Sequence, residues 1–399
     1  MKILMTNHRL ASRGGSELFV VETATALRRA GHDICVFTPL PGPVAEPLRA
    51  AGVPVVKDPA ECPFKPDIIH GQHHMETMAA LCLWPDVPAI YFVHGETPWE
   101  EAPPVHPRIR RYLATSPRFA ISIPRQCGVS ADHVVTVRNF FDATRFRRVR
   151  PRGFRTGRAL IFPNTMAKDG PAARNLREAC QVCGYVLDSV GQAFGRTVEA
   201  PEEILPDYDV VFAAGRSAIE AMACGCAVIP VTSEQSTDLV TPENYEEMAD
   251  RNFTAEINAP PLSSTEVAAQ IALADPEKTD AVTRRIREEA TLNAALATML
   301  RCYGAVIAEG SVSPDGEVPA LGSYLLGLAA RIKDADERRA ALVDEKQRAI
   351  ARAAKWKARA ETTRNHLAWI EQQCTTGGWW RRRWWRRLRR EWEMHEKSK

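Results

Sequence analysis

Alternation is what most constrains this chain. Short apolar runs recur, "KILMT" at 2–6, "DICVFT" at 33–38, "PDIIHG" at 66–71 and "AIYFVHG" at 89–95, separated by helix-like stretches such as "SELFVVETATALRRAG" at 16–31. Apolar runs too short to be helices, linked by amphipathic segments, read as buried parallel strands in βαβ units. The series continues through "RFAISI" and "HVVTV", read as strands, up to an Arg-, Pro- and Gly-rich break, "RFRRVRPRGFRTGR". It restarts after the break with "ALIFP", "PAARNLREAC", "YVLDSV", "DVVFAA" and "AVIPV". The fold class expected is α/β, with two doubly wound Rossmann-like domains over 1–150 and 151–329, the second finished by closing helices. Ligands of such sheets bind beyond the carboxyl ends of the strands, which places a site in the cleft between the domains.

A chain of 399 residues, 45% hydrophobic, has material for a core in each domain. The net charge of +3 excludes a polyanion binder that acts through the whole molecule, and no nucleic-acid partner is expected. The opening "MKILMTNH" turns polar before a signal-peptide core forms, and no run is long and uncharged enough to span a bilayer. A cytoplasmic location is therefore expected. The ten cysteines lack a secreted-domain framework; Cys180 with Cys183, and Cys224 with Cys226, read as small buried residues.

The stretch "GRSAIEAMACGCAVIP" at 215–230 carries the strongest chemical signal. A strand ending near Phe212, a turn at Gly215 and a helix starting near Ser217 would aim free N–H groups and the positive end of a helix at an anion. Arg216 can add a charge-assisted contact, Ser217 a hydroxyl, and Glu220, one turn on, an acceptor for a sugar diol. The same residues also spell a capping box, with Ser217 as cap and Glu220 reaching back to its N–H, and local sequence leaves both readings open.

The run "SAIEAMACGCAVIPV" resembles the donor segment of GT-B glycosyltransferases, in particular glycosyltransferase family 4, whose usual form is E-G-F-G-L-x-x-L-E-A-M-A-x-G-x-P-V. In that family the second Glu holds the nucleotide ribose and the first contacts the donor sugar. Glu220 matches the second, and Phe212 falls at the position of the first. The resemblance implies an Arg and a Lys on the donor diphosphate after the first strand of the second domain. In "ALIFPNTMAKDG" Lys168 fits the Lys, while Pro163 stands where the Arg is expected. The first domain is similar as well. "NHRLASRGGSELFVVETATALRRAGHDICVFTP" looks like the first strand, glycine loop and first helix, with Gly14 and Gly15 letting backbone approach a ligand. "FAISIPRQCGVSADHVVTVRNFFDATRF" looks like the end of that domain, with Asn139, Asp142 and Phe146 at the family spacing.

His94 follows a strand and lands where the family places a cleft histidine beside the reacting sugar, so it is the catalytic candidate. A hydrogen-bonded structural histidine is the plain alternative. His70, His73 and His74 suggest a metal, but no carboxylate or cysteine completes a ligand spacing. Two D-x-D strings, Asp207 to Asp209 and Asp334 to Asp336, fall at the head of a buried strand and in the tail helix. A mechanism without metal or cofactor is expected.

Beyond 329 the character changes. Leu342, Ala349, Trp356, Thr363 and Ile370 recur every seven residues, with Ala353, Ala360, Leu367 and Cys374 in the companion register. Residues 330–376 therefore read as a long helix or weak coiled coil, open to self-association. Residues 377–399 form a basic tail, "GGWWRRRWWRRLRREWEM", with Gly377 and Gly378 as a hinge. On a helical projection Trp380, Trp384, Trp385, Leu388 and Trp392 share one face, while Arg386, Arg387 and Arg390 lie opposite with other arginines. That pattern describes a helix lying on an anionic inner leaflet; a nucleic-acid contact or a partner-docking helix are the rivals.

The resemblance implies a retaining, metal-independent transferase that takes a nucleotide-diphosphate sugar on the second domain and a glycan or lipid-linked acceptor on the first, in cell-surface polysaccharide synthesis. A non-catalytic GT-B-like binding or scaffolding protein is the alternative, and a sugar-nucleotide epimerase of the same fold a third.

Overall fold

The computed structural model describes residues 1–95, 99–151, 153, 155–162, 166–255, 261–310, 316–376 and 378–396. The chain divides into two compact units, Met1–Leu321 and Gly322–Lys399.

The first unit holds two parallel sheets. Seven strands build the first: β1 (Lys2–Thr6), β2 (Asp33–Phe37), β3 (Val55–Val56), β4 (Ile68–Gly71), β5 (Ala89–Val93), β6 (Ile109–Ala114) and β7 (Val134–Thr136), in the order β3-β2-β1-β4-β5-β6-β7. The order reverses between β1 and β4, which makes the carboxyl ends of those two strands the switch-point crevice of the sheet. Four strands build the second: β8 (Arg158–Ile161), β9 (Val186–Ser189), β10 (Val210–Ala213) and β11 (Ala227–Pro230), in the order β11-β10-β8-β9. Each apolar run that reads as a central strand is buried on both faces, as in β1, β4, β5 and β10. Helices cover the sheets, so such strands carry no polar alternation.

One assignment changes. "RFAISI" lies in the helix Pro117–Cys127, not in a strand. Ser116 accepts the Phe119 N–H at its start, Pro117 occupies the first turn, and Gly128, at φ +69°, closes it. These local start and stop signals outweigh the short period-two pattern. The strand before it is Ile109–Ala114, where Arg110 and Arg111 mask the apolar signal; both arginines reach outward to Glu309.

The chain also returns. The helix Leu292–Ala308 sends Leu292, Leu296, Met299 and Tyr303 into the core of the first sheet, where the Tyr303 hydroxyl meets His70 Nδ1 at 2.5 Å. Phe141 N–H and Leu292 N–H donate to the carbonyls of Ala290 and Phe141, so the outgoing and returning segments run side by side between the two sheets.

A helix runs from Glu317 to Thr376, 60 residues, most of it in the second unit, and so starts ahead of the expected 330. At 1.5 Å per residue it is roughly 90 Å long. Leu342, Trp356 and Leu367 of its heptad seam are exposed. A second helix, Trp379–Glu396, follows after Gly378, with Arg389 paired to Glu371 at 2.6 Å. Trp380, Trp384 and Leu388 are exposed on it, Trp385 is partly buried, and the side chain of Trp392 lies outside the described residues.

Candidate functional site

The second sheet's contribution starts at β10. Only Ala214 and Gly215 separate it from the helix Arg216–Ala223. So tight a strand-to-helix turn needs a positive φ, and Gly215 takes +57°. Phe212, fully buried within β10, packs in the core of this sheet. The position eight before Glu220 is therefore a core position, with no loop there from which a carboxylate could reach a sugar.

The capping-box reading fails. Gly215 is the cap residue, and Ser217 Oγ donates to the Ala214 carbonyl at 2.8 Å. Glu220 is taken instead by Arg216, whose Nε donates to its Oε1 at 2.9 Å. Arg216 also pairs with Glu22, which projects from the helix Gly15–Arg29 of the first sheet. The three side chains are 8–12% exposed. Burial by itself would lower the Arg216 pKa, but Glu22 and Glu220 raise it and keep the guanidinium charged. Two carboxylates share that one cation, and burial, reinforced by Glu22, lifts the Glu220 carboxyl above its ordinary range. The network extends to Arg145, which donates to Glu202 at 2.7 Å and lies 3.5 Å from Glu22, and to Arg13, which donates to the Glu199 carbonyl. Asn139 and Asn252 join the same junction at 2.9 Å, beside the Gly215 N–H, which donates to the Phe253 carbonyl.

The first sheet contributes the carboxyl ends of β1, β4 and β5, which carry His8, then Gln72 and His73, then His94. His94 Nε2 lies 2.5 Å from Gln72 Oε1, and its ring packs edge-on against Phe19. The His73 ring sits 4.0 Å from that of His8 and 6.5 Å from that of His94. Burial first, and the Arg216 charge second, push the His94 pKa down to about 3. Burial first, with His8, His94, His74 and Arg9 nearby, takes His73 to about 2. Both rings are neutral across the physiological range. His94 is therefore suited to orient a hydroxyl by hydrogen bonding rather than to carry a proton away.

Arg216 links the two halves. Its guanidinium lies 5.8 Å from the centroid of Phe140, at the end of the first domain, and its charge is felt at His94. The structure thus brings together Gly215, Arg216, Ser217 and Glu220 with His94. Gly14 and Gly15 open the helix that carries Glu22. A side chain at Gly14 would strike the Glu17 carboxylate, so the room that Gly14 provides is already filled from within, whereas Gly15 faces open space. Lys168 is exposed on the connection after β8, and nothing among the described residues ties it to Arg216 or Ser217. Pro163 lies outside the described residues.

Other candidates resolve as structure. Asp209 is buried; burial pulls its pKa up, but the Thr156 N–H and Arg150 hold it below the usual carboxylate value. Asp207 pairs with Arg148, and Asp334 with Arg338. All ten cysteines are free, and among the described residues no three His, Cys, Asp or Glu side chains gather as a metal site. Glu22, Gln72 and His8 had no signal in the sequence. They were reachable only through the strand order and through the face of the first helix that turns away from its own sheet.

Residues 13–145 match the family model Glycosyltransferase Family 4. No curated protein sequence matches the chain. Among solved structures, HepE of Anabaena in complex with UDP is similar with a TM-score of 0.57 at 14% identity, over 76% of this chain and 100% of that one. The lipopolysaccharide outer core galactosyltransferase WaaB in its apo form follows at 0.52 and 12%, over 76% and 99%. A glycosyltransferase from Rickettsia africae ESF-5 gives 0.51 and 12%, over 77% and 98%. The architecture is the GT-B fold of glycosyltransferases, with the family 4 match covering β2 to β7 of its first sheet.

Proposed function

We propose that this chain is a glycosyltransferase that moves a sugar from a nucleoside-diphosphate sugar to a hydroxyl acceptor in the cleft between its two sheets. The observation that carries the reading is that Arg216, at a helix N-terminus on the second sheet, lies over Phe140, whose ring meets Phe19, against which His94 packs at the carboxyl end of the first sheet. The helix N–H groups, Arg216 and Lys168 receive the diphosphate and stabilise its charge as the bond to the sugar breaks. Glu220 takes the ribose hydroxyls with the oxygen that Arg216 leaves, and Ser217 supports the turn beneath. Glu22 pairs with Arg216, so donor binding exchanges a carboxylate for a phosphate at the same guanidinium. His94, neutral and held by Gln72, orients the acceptor.

UDP-sugars are the first donors to test, because the similar HepE is described in complex with UDP. Retention and independence of metal enter the proposal through the family match, with product anomer and activity in chelator as their readouts. No helix among the described residues is long and apolar enough to cross a membrane. We assign the helix Trp379–Glu396 to peripheral attachment on an anionic inner leaflet. That location fits a lipid-linked or surface-polysaccharide acceptor. The exposed seam of Glu317–Thr376 is assigned to pairing with a second copy.

Calorimetry against UDP- and GDP-sugars, comparing the protein with Glu220→Ala, is the test. Selective binding of one nucleotide sugar, lost in the folded variant, is expected. A folded protein that binds none overturns the transferase reading. It would leave the alternative of a non-catalytic scaffold, which the closed Glu22–Arg216–Glu220 network favours.

A further inference from the structure

The backbone at the end of β4 holds an unexplained strain. His73 adopts φ 60° and ψ 123°, one of three non-glycine residues at positive φ among the described residues. Glycine would occupy such a position at lower cost. The strain is held by an over-determined turn. Thr6 Oγ1 donates to the Gln72 carbonyl at 2.8 Å and accepts the Gln72 N–H at 2.9 Å, while the Thr77 hydroxyl and N–H both donate to the His73 carbonyl, at 2.9 and 3.1 Å. Gly71 completes it, because a side chain there would strike Thr77. These contacts fix the imidazole in the switch-point crevice between β1 and β4, beside His8 and facing His94.

We propose that His73 is a second substrate-contacting histidine, which with His94 receives an uncharged, hydroxyl-bearing sugar acceptor. The inference rests on the reading above that this end of the first sheet takes the acceptor. His73 Nδ1 accepts the His8 N–H at 3.3 Å, so the neutral ring carries its proton on Nε2 and presents a donor. Gln72 is fully buried, its Oε1 faces His94, and its Nε2 has no partner among the described residues. Such an amide is a second donor in want of an oxygen. The charges nearby are already matched: Glu17 is taken by Arg9, Ser12 and Ser16. Neutral donors around a locally balanced pair suit sugar hydroxyls rather than a phosphate or an ammonium. Strain retained at a ligand-facing residue is a common feature of functional sites.

His73→Asn tests this, because its Oδ1 can keep the His8 N–H bond while the Nε2 end of the ring is lost. His73→Gly is the second variant. Thermal melting, calorimetry with UDP- and GDP-sugars, and release of nucleoside diphosphate with p-nitrophenyl glycosides or water as acceptor are measured for each. The expected result is a melting temperature equal to or above that of the parent in His73→Gly and close to it in His73→Asn, with unchanged donor affinity and turnover reduced tenfold or more in both. Parent-like turnover in a folded His73→Asn, or a melting temperature lowered by several degrees in both variants, makes His73 structural and overturns the proposal. A parent protein that binds no donor or turns none over removes the transferase reading itself, and this inference with it.

Discussion

Acidification should unfold the first unit through its buried imidazoles. His70, His73 and His94 are held by burial at about 3, about 2 and about 3. The unfolded chain protonates these rings near pH 6.5, and the folded chain does not. Their neutral burial therefore opposes stability progressively as pH falls below 6.5 toward the folded values, and has no effect well above it. At pH 5.5, one unit below the unfolded value and far above the folded ones, each ring costs about 1.4 kcal/mol relative to pH 8. The three together cost about 4 kcal/mol. Glu101 acts the other way. Burial, with Glu17 and Glu100 nearby, raises its carboxyl to about 7, so it gains about 2 kcal/mol over the same interval. The decisive quantity is therefore a difference in which the carboxyl contributions cancel. His70→Gln keeps a polar partner for the Tyr303 hydroxyl and removes one imidazole. It should be less stable than the parent at pH 8, and the gap should narrow by about 1.4 kcal/mol at pH 5.5. Urea unfolding followed by near-ultraviolet circular dichroism at the two pH values reads this directly. Parallel pH dependences for parent and variant would refute the neutral-burial argument for His70.

Two further outcomes follow from the ion network and the tail. Glu22→Gln removes the carboxylate that competes with donor phosphate for Arg216 while Glu220 keeps the cation paired; donor affinity by calorimetry should rise about five- to tenfold, roughly 1 kcal/mol. Unchanged or weaker binding would show that Glu22 does not compete. Deleting residues 379–399 should abolish co-sedimentation with phosphatidylserine vesicles and leave donor binding intact, and the intact protein should release from vesicles as salt rises, since each basic residue near such a surface contributes about 1 kcal/mol. Sedimentation that survives the deletion would remove the tail from membrane attachment.

The sheet strands were legible where burial on both faces leaves a plain apolar run, as in Ile3 to Met5 or Val210 to Ala213. Legibility failed at β6. Its Arg110 and Arg111 are held by Glu309, nearly two hundred residues along the chain, so no local window contains the reason that charged residues lie in that strand. The neighbouring helix failed in the opposite sense, because the spacing of Phe119, Ile121 and Ile123 imitates a strand although Ile121 is exposed and only Ile123 is buried. The return of Leu292–Ala308 to the first sheet belongs to the same class: an apolar helix announces that it will pack, but not on which sheet.

At the site, the residues legible in the sequence are those whose chemistry is local. Gly215 and Arg216 reveal themselves by standing between a strand and a helix, and that is where they stand. Eight positions back from Glu220 stands Phe212, and because only two residues join β10 to its helix it lies inside the strand. The acidic groups around Arg216 come from elsewhere, Glu22 from the first sheet's helix and Glu220 from its own next turn. Glu22 reads in sequence as a solvated residue on an amphipathic helix, and acquires a role only when the second sheet is laid against that face. The same holds for His73, which looks like one of three histidines near a strand end until its φ shows that the chain bears a cost to aim it.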